Sequence, residues 1–417
     1  MANIINNKLS CFMFFLFASS YVLGDTFIDG RRIEPMKNTG FIKRKGTIKT
    51  IEGEDGDIID CVDIYQQPAF DHPFFKNHTI QGEDGDIIDC VDIYQQPAFD
   101  HPFFKNHTIQ MKPSSIPGGV KMNSSQAKLF QDWQCPKGTI PIRREQENEY
   151  PRGVKWIPRR TQLNHSFYDV RRHEYAIVYR EGVFYGARAS LNVWRPVVYD
   201  TEFSLAQIWL SAGPDEELNT IEAGWIVNFP DKKTRFFIYW TSDGYKRTGC
   251  YNLHCPGFVQ VNHKYALGSL IKPLSSYSAR QFDIWITIYK KNGNWWLQVQ
   301  QQVLGYWPGS IFSYLASTAT RIDFGGEVYN SEPSGHHTKT QMGSGHFGNE
   351  GYGKASFFRN IGYMDNRGKF NDGEAQSLNT YATRPLCYNV IVSNNTLGGF
   401  RTHIYFGGPG YSKLCAV

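Results

Sequence analysis

The stretch RQFDIWITIYKKNGNWWLQVQ (residues 280–300) decides the fold class. Its first half alternates: Phe282, Ile284, Ile286 and Ile288 fall on one face and Trp285, Thr287 and Tyr289 on the other, the period-two pattern of a strand. Asn292-Gly293 follows, the pair that best accepts the positive φ angles of a two-residue hairpin turn, and a second strand begins by Trp295. The same texture recurs from about His173 onward. HEYAIVYR, FYGARASLNVW, FSLAQIWL, TIEAGWIV, TRFFIYW, GFVQV and RIDFGGEVY are short, rich in β-branched and aromatic residues, and separated by little that has helical periodicity. Together they predict an all-β protein, an antiparallel β-sandwich occupying residues 173–417.

The rest of the chain frames this domain. With 417 residues there is room for more than one domain, and a formal net charge of +5 without a basic stripe argues against nucleic acid as a partner. Residues 1–24 read as an export signal: Lys8, then the apolar CFMFFLFASSYVL (11–23), with a cleavage site near Gly24. No later segment is long and apolar enough for a membrane span, so a secreted, extracellular (apoplast or cell-wall), monomeric product is expected. Removing Cys11 with the leader leaves seven cysteines. Cys250 with Cys255 can close a small loop, Cys387 and Cys415 bracket the carboxyl-terminal segment, and Cys135 can pair with Cys61 or Cys90. Asn77, Asn106, Asn123, Asn164 and Asn394 head glycosylation sequons.

Residues 53–81 and 82–110 are identical, GEDGDIIDCVDIYQQPAFDHPFFKNHTIQ, which explains the odd cysteine: Cys61 and Cys90 are copies of one position. Each copy holds six acidic residues and one lysine, whereas residues 111–172 carry Arg143, Arg144, Arg159, Arg160, Arg171 and Arg172. The two stretches can fold on one another within an amino-terminal module over residues 25–150, or simply be solvated. SSQAKLFQDW (124–133) is the best short helix, and 151–172 reads as a linker in which Arg159-Arg160 and the stretch to Arg172 are candidate processing sites.

Chemistry is concentrated in two charges placed where a strand should be apolar. Glu222 interrupts TIEAGWIV and Glu327 interrupts RIDFGGEVY. A buried carboxylate is expensive unless paired, hydrogen-bonded or protonated. Small residues flank both, which leaves space for a substrate backbone. Two carboxyls in one cleft cannot both ionise cheaply, so one serves as acid and the other as base, against an amide or a glycosidic bond. Gln207 can donate to an oxyanion or be a structural amide, and Tyr239 and Trp240 can line a cleft or pack in the core. Trp295, Trp296 and Trp307 belong to the core. His336, His337 and His346 sit in a Ser/Gly/Thr-rich stretch without metal-ligand spacing, and no metal or other cofactor is expected.

The runs LAQIWLSAGPDEELNTIEAGWIV (205–227), YWTSDGYKRTGCYNLHCPGFVQ (239–260), GNWWLQV (293–299), LGYWPGSIF (304–312), FGGEVYN (324–330) and TQMGSGHF (340–347) closely resemble the plant neprosin family of secreted glutamic endopeptidases. DIIDCVDIYQQPAFDHP and CPKGTIPIRR (135–144) are similar to that family's activation peptide, which the family shows once and this chain twice. The resemblance implies a zymogen whose prodomain acts as an intramolecular inhibitor. Its β-sandwich would cut peptide or protein substrates next to proline at acidic pH, with the family's two glutamates falling on Glu222 and Glu327. Acid would also weaken ion pairs between the acidic copies and the arginines. The rival readings are a glycoside hydrolase with paired carboxylates and a non-catalytic, cell-wall carbohydrate-binding sandwich.

Overall fold

The computed structural model describes residues 47–52, 58–62, 78–82, 84–104, 107–117, 126–129, 134–144, 172–199, 201–228, 231–331, 336–393 and 399–415. The expected leader, residues 151–171 of the expected linker and all five sequon asparagines lie outside these. The chain divides into two compact units, Met1–Lys76 and Asn77–Val417. In the first, β1 (Thr47–Glu52) and β2 (Ile58–Val62) form an antiparallel hairpin.

The second unit contains a sandwich. One sheet has six strands: β7 (His173–Phe184), β9 (Phe203–Ala212), β10 (Asn219–Asn228), β11 (Arg235–Thr241), β17 (Ala319–Tyr329) and β20 (Asn379–Ala382), in the order β11-β10-β9-β17-β7-β20. The other has nine: β8 (Gly186–Asn192), β12 (Val259–Gln260), β14 (Asp283–Lys291), β15 (Asn294–Val299), β16 (Gln302–Pro308), β18 (Ser356–Met364), β19 (Phe370–Asp372), β21 (Asn389–Ser393) and β22 (His403–Gly407). Its order is β12-β16-β15-β14-β8-β18-β22-β21, with β19 on β18. The named strands pair antiparallel throughout, and the only helices among the described residues are short 3-10 turns. The Asn292-Gly293 hairpin forms as read: Lys291 faces Asn294, and both turn residues have positive φ, 50° and 78°.

The inter-sheet core takes Ile208, Ala223, Trp225, Ile238 and Phe324 from one sheet, and Ile284, Ile286, Ile288, Leu297 and Phe358 from the other. Burying each of the larger side chains contributes about 1.5–3 kcal/mol. A second apolar cluster (Tyr175, Ile177, Leu205, Trp209, Phe237, Tyr239) lies on the outer face of the six-stranded sheet. Every residue of β9 and β10 is therefore buried. This is why their sequences are nearly continuous apolar runs, without the polar alternation of a half-wet strand.

The activation segment is part of this unit. β3 (His78–Gln81), β4 (Ile87–Asp92) and β6 (Thr139–Arg144) form a three-stranded sheet, and Cys90 is disulfide-bonded to Cys135, choosing the second copy over Cys61. The disulfides Cys250–Cys255 and Cys387–Cys415 also form. Gln96 exchanges two hydrogen bonds with the Gln260 backbone (3.1 and 2.7 Å), and His107 Nε2 meets the Tyr306 hydroxyl at 2.7 Å. The helix expected over 124–133 does not form in the described part. Lys128–Leu129 is a short strand, β5, paired with β13 (Ile271–Lys272), and the Ala127 N–H donates to the Asp283 carbonyl. Pairing with the sandwich and burial of Leu129 override a weak local preference.

Candidate active site

Period-two geometry decides which side chains share the outer face of the six-stranded sheet. Residues opposite one another in neighbouring strands point the same way. One row runs Tyr239, Glu222, Trp209, Asp323 and Tyr179 across β11, β10, β9, β17 and β7. The next runs Phe237, Gly224, Gln207, Gly325 and Ile177, and the third Arg235, Ile226, Leu205, Glu327 and Tyr175. Glu222 and Glu327 thus lie on one face, in strands separated only by β9, with Gln207 midway between their rows.

The glycines beside Gln207 have a structural reason. A Cβ on Gly224 would lie 2.0 Å from the Ala206 carbonyl oxygen and 2.7 Å from Gln207 Cβ, and one on Gly325 would lie 2.3 Å from the Ala176 carbonyl oxygen. They permit close strand approach and leave the Gln207 amide unflanked by side chains in its own row, a different use from the open substrate space inferred from sequence.

Glu222 is fully buried and accepts three hydrogen bonds. Thr220 Oγ1 and Tyr245 Oη donate to Oε1, each at 2.7 Å, and Gln207 Nε2 donates to Oε2 at 3.0 Å. Burial penalises its charge, and the negative charge of Glu327 adds to that. The three donors pull the other way, but burial wins, and the pKa is pushed up to about 7. Glu222 is therefore a carboxylic acid across the acidic range.

Glu327 is also fully buried, but its partner is a base. His173 Nδ1 lies 2.6 Å from Glu327 Oε1, and the imidazole packs against Phe203 and Tyr329. Glu327 Oε2 and Gln207 Oε1 are buried and have no hydrogen-bond partner among the described residues. Such acceptors cost about 1–3 kcal/mol each unless something donates to them.

Two residues of this site were missed by sequence reading. His173, the first residue of β7, is a lone histidine beside a strand. Tyr245 rides a tight loop after β11, stapled by Asp243, which accepts from Thr248 Oγ1 (2.7 Å) and from the backbone N–H groups of Lys246, Arg247 and Thr248. Partial burial opposes the Asp243 charge, but the hydrogen bonds from Thr248, Arg247 and Thr241 outweigh it and hold the carboxyl below its ordinary value. Tyr245 has φ +62°, a conformation that a non-glycine residue rarely adopts and that here turns its hydroxyl onto Glu222.

Other candidates separate. Tyr239 is beside Glu222 on the outer face, flanked by Tyr251 (4.9 Å between ring centres) and Tyr245 (6.0 Å). Trp240, its neighbour in the strand, points the opposite way into the inter-sheet core against Phe312, so it cannot line the same cleft. Trp295, Trp296 and Trp307 are fully buried. The three histidines are not brought together: His337 Nε2 binds Glu174 (2.6 Å), His346 Nδ1 meets Glu350 (3.1 Å) and His336 stacks edge-on with Tyr411. Among the described residues one group of potential metal donors is close together, His337 with Cys387 and Cys415, and its sulfurs are joined as a disulfide.

The neprosin family model matches residues 200–409, and the neprosin activation peptide model matches twice, over 50–83 and 79–179. Among solved structures, scytalido-glutamic peptidase with a peptide-based transition-state analog aligns at 10% identity and TM-score 0.30, covering 57% of this chain and 98% of that one. SCP-B, a member of the Eqolisin family of peptidases in complex with the tripeptide Ala-Ile-His, aligns at 8% identity and TM-score 0.30, covering 56% and 96%. CG-16, a homodimeric agglutinin from chicken liver, aligns at 8% identity and TM-score 0.20, covering 36% and 90%.

Proposed function

The chain belongs to the neprosin family of glutamic peptidases, with an activation peptide ahead of the peptidase domain, and from that premise we propose that it is the secreted precursor of an endopeptidase that cleaves next to proline in acid. The observation that carries this reading is the placement of Glu222 and Glu327 on one buried face with Gln207 between them.

Glu327 is the base. Hydrogen-bonded to His173, it has a partner for its ionised form and an oxygen without a donor among the described residues, able to hold and deprotonate a water. Glu222 is the acid: protonated in acidic solution, it polarises the scissile carbonyl and then delivers its proton to the leaving nitrogen. The Gln207 amide, already bonded to Glu222, steadies the developing oxyanion. Tyr239, beside Glu222, offers a flat aromatic face suited to a proline ring. The activation segment, bonded to the sandwich at Asp86, Gln96 and His107, acts as an intramolecular inhibitor. The leader-like first 24 residues and three disulfides support export.

The test is to incubate the acid-treated precursor with a proline-containing quenched peptide and with soluble glycans, beside Glu222→Gln and Glu327→Gln. Peptide cleavage lost in both variants supports the proposal; glycan cleavage, or neither reaction, overturns it.

A further inference from the structure

We propose that Arg235, freed when the activation segment leaves, is a carboxylate-binding subsite of the cleft, so that the mature enzyme favours peptides with an aspartate or glutamate a few residues from the scissile bond. This rests on the peptidase reading above and extends it to substrate class.

Arg235 opens β11 on the face that carries Glu222 and Tyr239, in the row that also holds Glu327. In the precursor its guanidinium grips Asp86 by two parallel bonds, Nη1 to Oδ2 at 2.7 Å and Nη2 to Oδ1 at 2.9 Å. Both side chains are only 7% exposed. Burial works against the arginine's charge, but Asp86 and Asp231 outweigh it and hold its pKa above the ordinary value.

The decisive feature is where its partners come from. Asp86 belongs to the activation segment, directly before β4, and Arg143 of β6 lies 3.7 Å from the same carboxylate. The other partners of Arg235 belong to the sandwich: Asp231 holds Nε, and the Gly268 carbonyl accepts from Nη1 at 2.8 Å. When the segment departs, Asp86 and Arg143 go together, while Asp231 and Gly268 stay and keep the guanidinium aimed. The two-pronged edge that held Asp86 is then presented, already oriented, to another carboxylate. Pre-orientation spares an incoming ligand the entropy of ordering the side chain. Lys232 and Lys233 beside it make the stretch 231–235 net positive, three cationic residues against Asp231.

The position fits a substrate. A pocket lined by Arg143, Ile226, Asp231, Arg235, Phe237 and Tyr251 joins this site to the aromatic face. Arg235 lies four residues along β11 from Tyr239, the partner of Glu222, or about 13 Å, a span of about four residues of extended peptide. Asp86 therefore occupies in cis the place that an acidic substrate side chain takes in trans.

The test uses full-length precursor matured in acid and assayed at pH 5.5, where a peptide aspartate is ionised. Proline peptides carry Asp or Asn at each of five positions on either side of the scissile bond. The expected result is that one position, three to five residues away, favours Asp by about tenfold in kcat/KM, mostly through KM. That ratio falls to about one in Arg235→Gln and is partly kept in Arg235→Lys. Should Arg235→Gln misfold because buried Asp86 loses its two-pronged partner, Asp86→Asn/Arg235→Gln removes both charges and takes its place. Equal rates for Asp and Asn at every position, or an Asp preference that survives Arg235→Gln, overturns the proposal. Anisotropy of the same labelled peptides bound to matured protein reads the subsite without turnover. Failure to cleave any peptide therefore counts against the peptidase reading, and equal binding of Asp and Asn peptides against the subsite.

Discussion

His173 Nδ1 lies 2.6 Å from Glu327 Oε1, and both side chains are buried. The imidazole donates to the carboxylate whether the ring is neutral or charged. Phenylalanine fits against Phe203 and Tyr329 but donates nothing, so His173→Phe leaves a buried carboxylate without a partner among the described residues. Such a group takes up a proton, and a protonated Glu327 cannot accept one from water. The expected loss is about 10²-fold in kcat with little change in KM, and about 3 kcal/mol of stability. His173→Gln, which still donates, restores part of the rate. Steady-state kinetics and urea unfolding of the three proteins check this.

Glu222 sets an upper pH limit. Its pKa is raised from 4.5 to about 7 in the folded protein, so activity that needs its proton falls as pH rises through about 7. Stability follows the same sign: the unfolded chain releases this proton near 4.5 while the folded protein keeps it. The contribution is complete below 4.5 and is lost as pH climbs to about 7, up to about 3 kcal/mol. Glu222→Gln, neutral at every pH, removes this slope. Thermal melts of both proteins from pH 4 to 8 should converge in acid and diverge toward neutrality, the wild type falling faster.

The hairpin at 280–300 and both glutamates could be found in the sequence because strand periodicity and an ionisable residue in an apolar run are local signals. What escaped was set by distant neighbours. The tetrapeptide HTIQ occurs twice: at 78–81 it is strand β3, and at 107–110 it is not a strand, its histidine bonding Tyr306. Identical residues take different structures because β4 lies beside one copy and the sandwich beside the other. Tyr239 and Trp240 share every local property, yet strand pleat sends one to the cleft and the other to the core. His173 gains meaning only from β17, which is more than a hundred residues away in sequence.

Tyr245 gives a prediction with a less obvious sign. Its hydroxyl favours the ionised form of Glu222, holding that pKa lower than burial alone would. Tyr245→Phe removes one of three donors, so the Glu222 pKa rises further and the alkaline limb of the rate profile moves up by about one pH unit. A lower rate with no movement of the limb would instead mean that the hydroxyl does not set the Glu222 pKa. A pH profile of kcat from 4 to 9 separates the two.

Deleting Gly53–Gln81 removes one copy of the repeat and should leave the precursor intact. In the first hairpin Thr50, Ile51 and Glu52 face Asp60, Ile59 and Ile58; in the second Thr79, Ile80 and Gln81 face Asp89, Ile88 and Ile87. The register is the same, so after deletion Thr50–Glu52 stands opposite β4 without a slip, and no side chain changes face. Asp86, Cys90 and their partners Arg235 and Cys135 are untouched. The three disulfides use six of the eight cysteines, and the deletion removes Cys61, one of the other two. The deleted precursor should melt within about 2 °C of wild type, a change under about 1 kcal/mol, and mature at the same pH. Under denaturing, non-reducing conditions it should titrate one thiol fewer than the wild type. A melting point many degrees lower would make the first copy a structural part of the zymogen.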